Sequence, residues 1–258
     1  MHHLERPLEV PRQGEVGPGL VASGVLARET EIGLVDDRFL RVGFAASSAF
    51  GVLPRIVLRF RSRFPEVSLE LDDRERLDHG AALLAGELDL AIVRAPFRHE
   101  GVTVERLLRE RFVLALPVRH PRAREKVVAL SSLANEPFIL FPRHSAPGLH
   151  DTITSMCIGA GFSPRIHQEA GSWPSVIGMV EAGLGLTIAP LSARALRPKG
   201  VVFRALRGAP GWAELAVIFP GQRLSPAAAH FRAIAHEMTR SHAGKDYTGS
   251  VRIPMNSS

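Results

Sequence analysis

The chain is poor in cysteine and lysine, and both shortages reduce the number of functions that fit the sequence. Cys157 is the single cysteine among 258 residues, which excludes an intramolecular disulfide. No group of cysteines and histidines has the spacing of a zinc site, so we expect no metal and no cofactor, and for Cys157 a packing role on a helix. Lysine occurs only at Lys126, Lys199 and Lys245. The net charge of +6 therefore rests on arginine, whose abundance beside alanine, glycine and proline is typical of a GC-rich genome rather than of nucleic-acid binding.

Long apolar runs and enzyme motifs are also absent. No run approaches the ~20 apolar residues of a membrane span. Pro7, Pro11, Gly14 and Pro18 lie where a signal peptide would need an apolar stretch. We therefore expect a cytoplasmic protein with no membrane partner. The sequence has no G-x-S-x-G elbow, P-loop or H-E-x-x-H motif, and we predict no catalytic residue.

The first half of the chain has the pattern of a parallel α/β fold. The apolar residues 40–45 predict a buried strand, 53–64 carry apolar side chains on one helical face, and 67–72 alternate as in a strand. A short helix over 77–84 and a strand over 88–94 follow. Alternation of strands and helices in this way is typical of βαβ units.

The same order returns in the second half. A strand over 112–117 precedes predicted strands at 138–141, 165–169 and 184–189, with helices at 149–160 and 174–182 between them. Gly183 and Gly185 are interpreted as the end of a helix that leads into a strand, and not as a dinucleotide fingerprint. Strands at 201–206 and 215–219 and a last helix from about Phe231 complete the pattern. Two βαβ units in one chain predict two lobes with a cleft between them.

Polar residues of the first unit are predicted to face this cleft, because ligands of open α/β sheets bind beyond the carboxyl ends of the strands. Ser47 and Ser48 follow the first strand, where hydroxyls and backbone amides can hold an anion; the alternative is a serine N-cap. Arg94 ends an apolar strand, where a guanidinium can bind a carboxylate through two hydrogen bonds. The alternative for Arg94 is an ion pair with Asp89 or Glu87.

The second unit contributes the start of its first helix. Pro147, Gly148 and Leu149 present free backbone amides and one apolar side chain there, unless they form an ordinary turn. The three places converge on one cleft.

Five stretches between Leu40 and about Ser241 resemble the effector-binding domain of LysR-type transcriptional regulators, especially the branch that senses intermediates of aromatic degradation. They are LRVGFAASSAFGVLPR from Leu40, LLAGELDLAIVR ending at Arg94, FVLALPVRHP from Phe112, EPFILFPR from Glu136 and MVEAGLGLTIAP from Met179. The resemblance implies an α/β fold of two Rossmann-like lobes joined by two crossover strands, a periplasmic-binding-protein-like architecture of type 2. We expect residues 39–113 plus 210–241 to form lobe I and residues 114–209 to form lobe II.

The resemblance also implies roles for single residues. Ser47 and the loop around Arg76 would contact the effector from lobe I, and Pro147, Gly148 and Leu149 from lobe II. Arg94 resembles a strand-end arginine that some members use near a carboxylate. Arg76 stands where muconate-sensing relatives carry a small hydroxyl residue, and Leu149 where they carry an aromatic one. These differences leave the effector open, although an additional arginine favours an acid.

Members of this family begin with a winged helix-turn-helix and a long linker helix, which do not fit into the segment before Leu40. We expect residues 1–38 to be a non-family segment that is poorly ordered, and residues 242–258 to be a flexible tail. A truncated or frameshifted gene, a misassigned start and a natural stand-alone sensor are three explanations that the sequence leaves open.

The leading hypothesis is a sensor that binds a small anionic inducer, an aromatic or dicarboxylic acid, to control transcription. It would assemble as a homodimer or homotetramer through the effector domains, and would bind DNA only where a helix-turn-helix is supplied. The alternatives are a solute-binding protein of a transporter, a stand-alone ligand-binding remnant without DNA binding, and an enzyme using the same cleft.

Overall fold

Ten strands and five helices make up the part of the chain that the structure, a computed structural model, describes: residues 38–73, 78–221 and 224–240. All of these residues belong to one compact unit. The strands are β1 (Phe39–Phe44), β2 (Ser68–Asp72), β3 (Leu90–Ala95), β4 (Val102–Pro117), β5 (Val127–Ala129), β6 (Pro137–Leu140), β7 (Arg165–Glu169), β8 (Thr187–Pro190), β9 (Val201–Arg207) and β10 (Trp212–Pro220). The helices are α1 (Leu53–Arg63), α2 (His79–Leu84), α3 (Pro147–Gly159), α4 (Trp173–Glu181) and α5 (Pro226–Arg240).

Some of the sequence-based predictions concern other parts of the chain. The expected N-terminal segment, apart from Arg38, and the expected tail lie outside the described residues, as does Arg76. Among the helices of the described ranges, none has the length and apolar character needed to cross a membrane.

The first lobe is a sheet in the order β2-β1-β3-β10-β4, covered by helices on both faces. Strands β2, β1 and β3 are parallel, and β10 is antiparallel to β3 and β4. Leu90 and Ile92 pack with α1 and α5, whereas the alternating Ala91 and Val93 pack with α2. Because successive strand residues point to opposite faces, both faces of β3 are apolar and buried.

The second lobe repeats this construction. Strands β8 and β9 pair with the last part of β4, β5 pairs with β9, and β6 pairs with β7. A bridge between Phe138 and Leu186 connects β6 to the segment that leads into β8. Helix α3 packs on one apolar cluster of this lobe and α4 on another. The two-lobed α/β fold that the sequence predicts is therefore confirmed.

Strand β4 passes from one lobe to the other. Its 16 residues pair with β10 up to Arg111 and with β8 and β9 from Phe112 onward. Leu108 packs against the core of the first lobe and Phe112 belongs to that of the second. On β10, Leu215 belongs to the first core and Ala213 to the second. Residues 109–111 thus lie between two cores, and we call them, with Glu214, the hinge segment.

The sequence predicts β4 only from Phe112, ten residues after it begins at Val102. A β-bulge explains the difference: Leu215 pairs with Leu108 but Ala216 pairs with Arg106, which leaves Leu107 as an extra residue. An extra residue breaks the alternation by which a strand is recognised in a sequence.

Candidate functional site

Arg94 lies at the end of β3, where it reaches from the first lobe toward the second. Its Nε donates to Ser47 Oγ at 2.9 Å, its Nη1 to Glu110 Oε1 at 2.9 Å, and its Nη2 to Ser192 Oγ at 3.5 Å. The ion pair that the sequence offered as an alternative does form, but with Glu110 and not with Asp89 or Glu87.

Glu110 and Ser192 complete this cluster, and the sequence reasoning missed both. Glu110 belongs to the hinge segment, and its side chain is only 1% exposed. Ser192 lies in the 3-10 turn Leu191–Leu196 that follows β8 in the second lobe. Glu110 accepts hydrogen bonds from the Ser192 backbone N–H at 2.6 Å and from its hydroxyl at 2.9 Å. The sequence separation of 82 residues leaves no local pattern that could reveal this pair.

The two adjacent serines have different partners. Both lie in a separate 3-10 turn, Ala46–Phe50, and helix α1 begins later, at Leu53, with Val52 as its N-cap. The serine N-cap is therefore wrong for both residues. Ser47 accepts from Arg94, whereas the Ser48 hydroxyl donates to the Ala45 carbonyl at 2.7 Å and is fully buried. Only Ser47 is part of the cluster around Arg94.

The start of α3 touches the end of β3. Pro147 is the first residue of α3, and Pro96 follows β3 directly. A Cβ atom added to Gly148 would lie 3.4 Å from Pro96 Cδ, which is ordinary van der Waals contact. The side chain of Leu149 packs against both apolar clusters of the second lobe. Leu149 therefore contributes to packing within this lobe.

A further contact between the lobes comes from Phe50. Phe50 ends the 3-10 turn that carries Ser47, and it packs on the second-lobe cluster that contains Trp173 and Ala193. The two lobes therefore touch through Phe50 and lie close together at Gly148. This geometry is that of a cleft with its lobes in contact.

A small pocket adjoins the cluster around Arg94. Three of its lining residues, Ser47, Glu110 and Ser192, are the hydrogen-bond partners of Arg94. Its remaining lining residues are Ser48, Gly51, Val52, Leu108 and Leu215. The pocket encloses only about 10 Å³, room for about one water molecule, so a ring-sized ligand requires the lobes to open.

The cluster suits an anion rather than a metal. Its donors are a guanidinium, hydroxyls and a backbone N–H, which bind carboxylate oxygens. Within the described ranges, no group of three or more histidine, cysteine, aspartate or glutamate residues could hold a metal ion. Cys157 is fully buried in a second-lobe core, as the sequence predicted, and burial raises the pKa of its thiol to about 11. A thiol with this pKa is a poor nucleophile at neutral pH.

The comparison with protein families agrees with this architecture. The family described as LysR substrate binding domain matches residues 36–240. The transcriptional regulator AlsR of Bacillus subtilis is 32% identical over 228 residues, which are 88% of this chain and 74% of AlsR. The regulator TtuA of Agrobacterium vitis is 34% identical over 165 residues, 64% of this chain and 54% of TtuA. The chain thus spans about three quarters of one relative and about half of the other.

Solved structures show the same fold. The effector-binding domain of BenM with its effector benzoate has a TM-score of 0.72 and 22% identity, covering 79% of this chain and 93% of that domain. The effector-binding domain of QuiR in complex with shikimate has a TM-score of 0.71 and 18% identity, covering 80% of this chain and 98% of that domain. The match of residues 36–240, the curated regulators and the shared fold lead to one conclusion. The chain belongs to the family of LysR substrate-binding domains.

Proposed function

We propose that the chain binds a small carboxylate between its two lobes and acts as the effector sensor of a LysR-type transcriptional regulator. The observation that carries this proposal is the position of Arg94. Its side chain is 20% exposed and contacts hydroxyls of both lobes. A guanidinium presents a planar fork of donors that matches a carboxylate. A ligand held by Arg94 would therefore meet both lobes at once.

The relatives support the chemical class of this ligand. Benzoate, bound by BenM, and shikimate, bound by QuiR, are both six-membered-ring compounds with one carboxylate. We propose an aromatic or alicyclic acid, or a dicarboxylic acid, as the effector. The apolar walls of the pocket, Val52, Leu108 and Leu215, suit the hydrocarbon part of such an acid.

Binding would be linked to transcription through the arrangement of the lobes. A ligand shifts an equilibrium between two arrangements only by the difference of its affinities for them. Contacts to both lobes supply such a difference. We propose that DNA binding requires a helix-turn-helix segment, and that the protein works in the cytoplasm. The relatives compared above are named as transcriptional regulators, which favours a sensor over a transport protein or an enzyme.

Thermal unfolding with a panel of acids tests the proposal. Benzoate, shikimate and cis,cis-muconate are compared with benzamide, which has a similar ring and no charge. An acid at ~100 times its Kd is expected to add ~2.7 kcal/mol to the free energy of unfolding. Arg94→Lys keeps a positive charge beside Glu110 but loses the planar fork, and we expect it to weaken the acid by about ten-fold.

Arg204→Ala is the matched control. Arg204 is also partly buried, but it donates to the carbonyls of Ala123 and Phe203 within the second lobe. It should leave acid binding unchanged. Failure of every acid to raise the melting temperature, or an acid response that Arg94→Lys leaves intact, contradicts the proposed site.

We further propose that copies of the chain associate through their edges. Exposed apolar side chains occur on α1 and β2 in the first lobe, and on the corresponding α3 and β7 in the second; they are Leu58, Leu71, Ile158 and Ile166. A two-fold pairing would place the helix and edge strand of one lobe against those of the other lobe in the partner. Light scattering should give a dimer or tetramer, and Leu58→Glu with Ile158→Glu should give a monomer.

A further inference from the structure

The feature that carries a further inference is the carboxylate of Glu110, which is already bound by the groups that a ligand would use. Arg94 Nη1, the Ser192 backbone N–H and the Ser192 hydroxyl all donate to it, at 2.9, 2.6 and 2.9 Å. One donor residue belongs to the first lobe and the other to the second. The Glu110 carboxylate therefore accepts the hydrogen bonds that a bound ligand's carboxylate would accept from Arg94 and Ser192.

We propose that the Glu110 carboxylate occupies the effector site in this arrangement of the lobes. An effector's carboxylate has to displace it from Arg94, and this displacement breaks the hydrogen bonds by which Glu110 connects the two lobes. The inference rests on the proposed function and adds the regulation of the same site. In the arrangement described here, Glu110 links Arg94 to Ser192 across the cleft. When Glu110 leaves, this link between the lobes is lost, and the ligand's carboxylate occupies the side of Arg94 that Glu110 has left.

Electrostatics require the displacement. Arg94 and Glu110 form a neutral pair in a site where the glutamate is 1% and the arginine 20% exposed. An ionised acid added to the same guanidinium would leave an uncompensated negative charge in a place with little water. Each guanidinium nitrogen also already donates to an internal partner. An acid that replaces Glu110 keeps the guanidinium of Arg94 paired with one carboxylate, while the displaced Glu110 carboxylate moves toward the open cleft and water.

The hinge segment explains how a displaced Glu110 could affect the lobes. Arg109 and Arg111 lie on the opposite face of β4, where they stack against Trp212 at 4.7 and 5.9 Å from its ring centre. Strand alternation thus holds Glu110 on the cleft face. Neither apolar core contains residues 109–111, so this segment can twist without disrupting a core. The side chain that leaves the ligand site is therefore fixed to the part of β4 that joins the lobes.

Chemical rescue by acetate tests the inference without knowledge of the effector. Glu110→Ala removes a CH2–COO⁻ group, for which an acetate ion is the free equivalent. We expect acetate to raise the melting temperature of Glu110→Ala by about 2–4 °C or more, and to leave the unsubstituted protein unchanged. Acetamide, which has no charge, should give no such rise.

Glu105→Ala is the matched control, because Glu105 is on the same strand, is ion-paired with Arg232 and is hydrogen-bonded to His236, away from the cleft. It should show no acetate response. Benzoate provides the second arm: its Kd should fall about ten-fold or more in Glu110→Ala, since hydrogen bonds to charged groups have about this effect on affinity. Glu110→Gln, which keeps the shape and loses the charge, should shift the benzoate Kd in the same direction and decides the question if Glu110→Ala does not fold.

The outcomes separate the two proposals. If benzoate binds the unsubstituted protein through Arg94 but binds the Glu110 variants no more tightly, the inference is wrong and the proposed function stands. If acetate has the same effect on Glu110→Ala and Glu105→Ala, the inference is also wrong. If no acid binds the unsubstituted protein or either Glu110 variant, both proposals fail.

Discussion

Two adjacent serines allow a test of the site, because both line the pocket but only Ser47 bonds to Arg94, whereas the Ser48 hydroxyl bonds within its own turn. Ser48→Ala removes the 2.7 Å hydrogen bond from the Ser48 hydroxyl to the Ala45 carbonyl. The same carbonyl still accepts a hydrogen bond from the backbone N–H of residue 48, at 2.8 Å. With this carbonyl still bonded, the expected loss is about 1 kcal/mol of unfolding free energy. In a chain of this size, the melting temperature should fall by about 2–4 °C.

Ser47→Ala should differ from Ser48→Ala in its effect on ligand binding. It removes the acceptor of Arg94 Nε, while Glu110 still holds the other end of the guanidinium. The guanidinium loses one of the contacts that orient it, so the affinity for a ring acid should fall by about 3- to 10-fold, beside a loss of stability at least as large as that of Ser48→Ala. Calorimetric titration gives the affinities and scanning calorimetry the melting temperatures. Equal effects of the two substitutions on affinity would refute the special role given to Ser47 as the partner of Arg94.

Three other predictions concern stability and reactivity. Gly185→Ala should destabilise more than Gly183→Ala in urea unfolding, because a Cβ at 185 would lie 2.6 Å from the Pro137 carbonyl oxygen, whereas 183 has open space and only a positive φ of 80°; equal losses would contradict this. Burial lowers the pKa of His79, although the charges of Asp72 and Asp78 oppose this shift. Near and below the ordinary pKa of 6.5, His79 therefore binds more protons in the unfolded state than in the folded state. The free energy of unfolding should fall as the pH drops through that value. His79→Gln should flatten this part of the profile, and a profile that it leaves unchanged would assign the dependence elsewhere. The Cys157 thiol, buried with a pKa of about 11, should resist a thiol reagent at about pH 8 and react fully in denaturant; rapid reaction of the folded protein would contradict its burial.

Regular periodicity made most of the fold predictable. The sequence predicts α1 over 53–64 and the helix is Leu53–Arg63, because Leu53, Ile56 and Phe60 recur on one face and pack in one core. Strand β7 was expected over 165–169 and has these bounds. Strand β5 was missed, since three residues are too few to show a period. The first half of β4 was missed because of the bulge at Leu107 and the charges around Glu110.

The candidate site was predictable only where it follows from strand ends. Ser47 and Arg94 come after β1 and at the end of β3, where parallel strands place ligand-binding groups. Glu110 sits inside a strand, and Ser192 follows one in the other lobe; their contact depends on how the lobes fold together.

The positions of Glu110 and Ser192 suggest how ligand binding could be coupled to a change in the angle between the lobes. Two lobes that share the continuous strand β4 cannot move independently, so a change in their angle has to be absorbed where neither core packs. Residues 109–111 meet that condition. Glu110 is the residue of this segment that contacts Arg94 and Ser192. A ligand that competes for Arg94 would therefore act directly on the segment proposed to set the angle between the lobes. Coupling ligand recognition to lobe movement would then need no additional pathway through the cores.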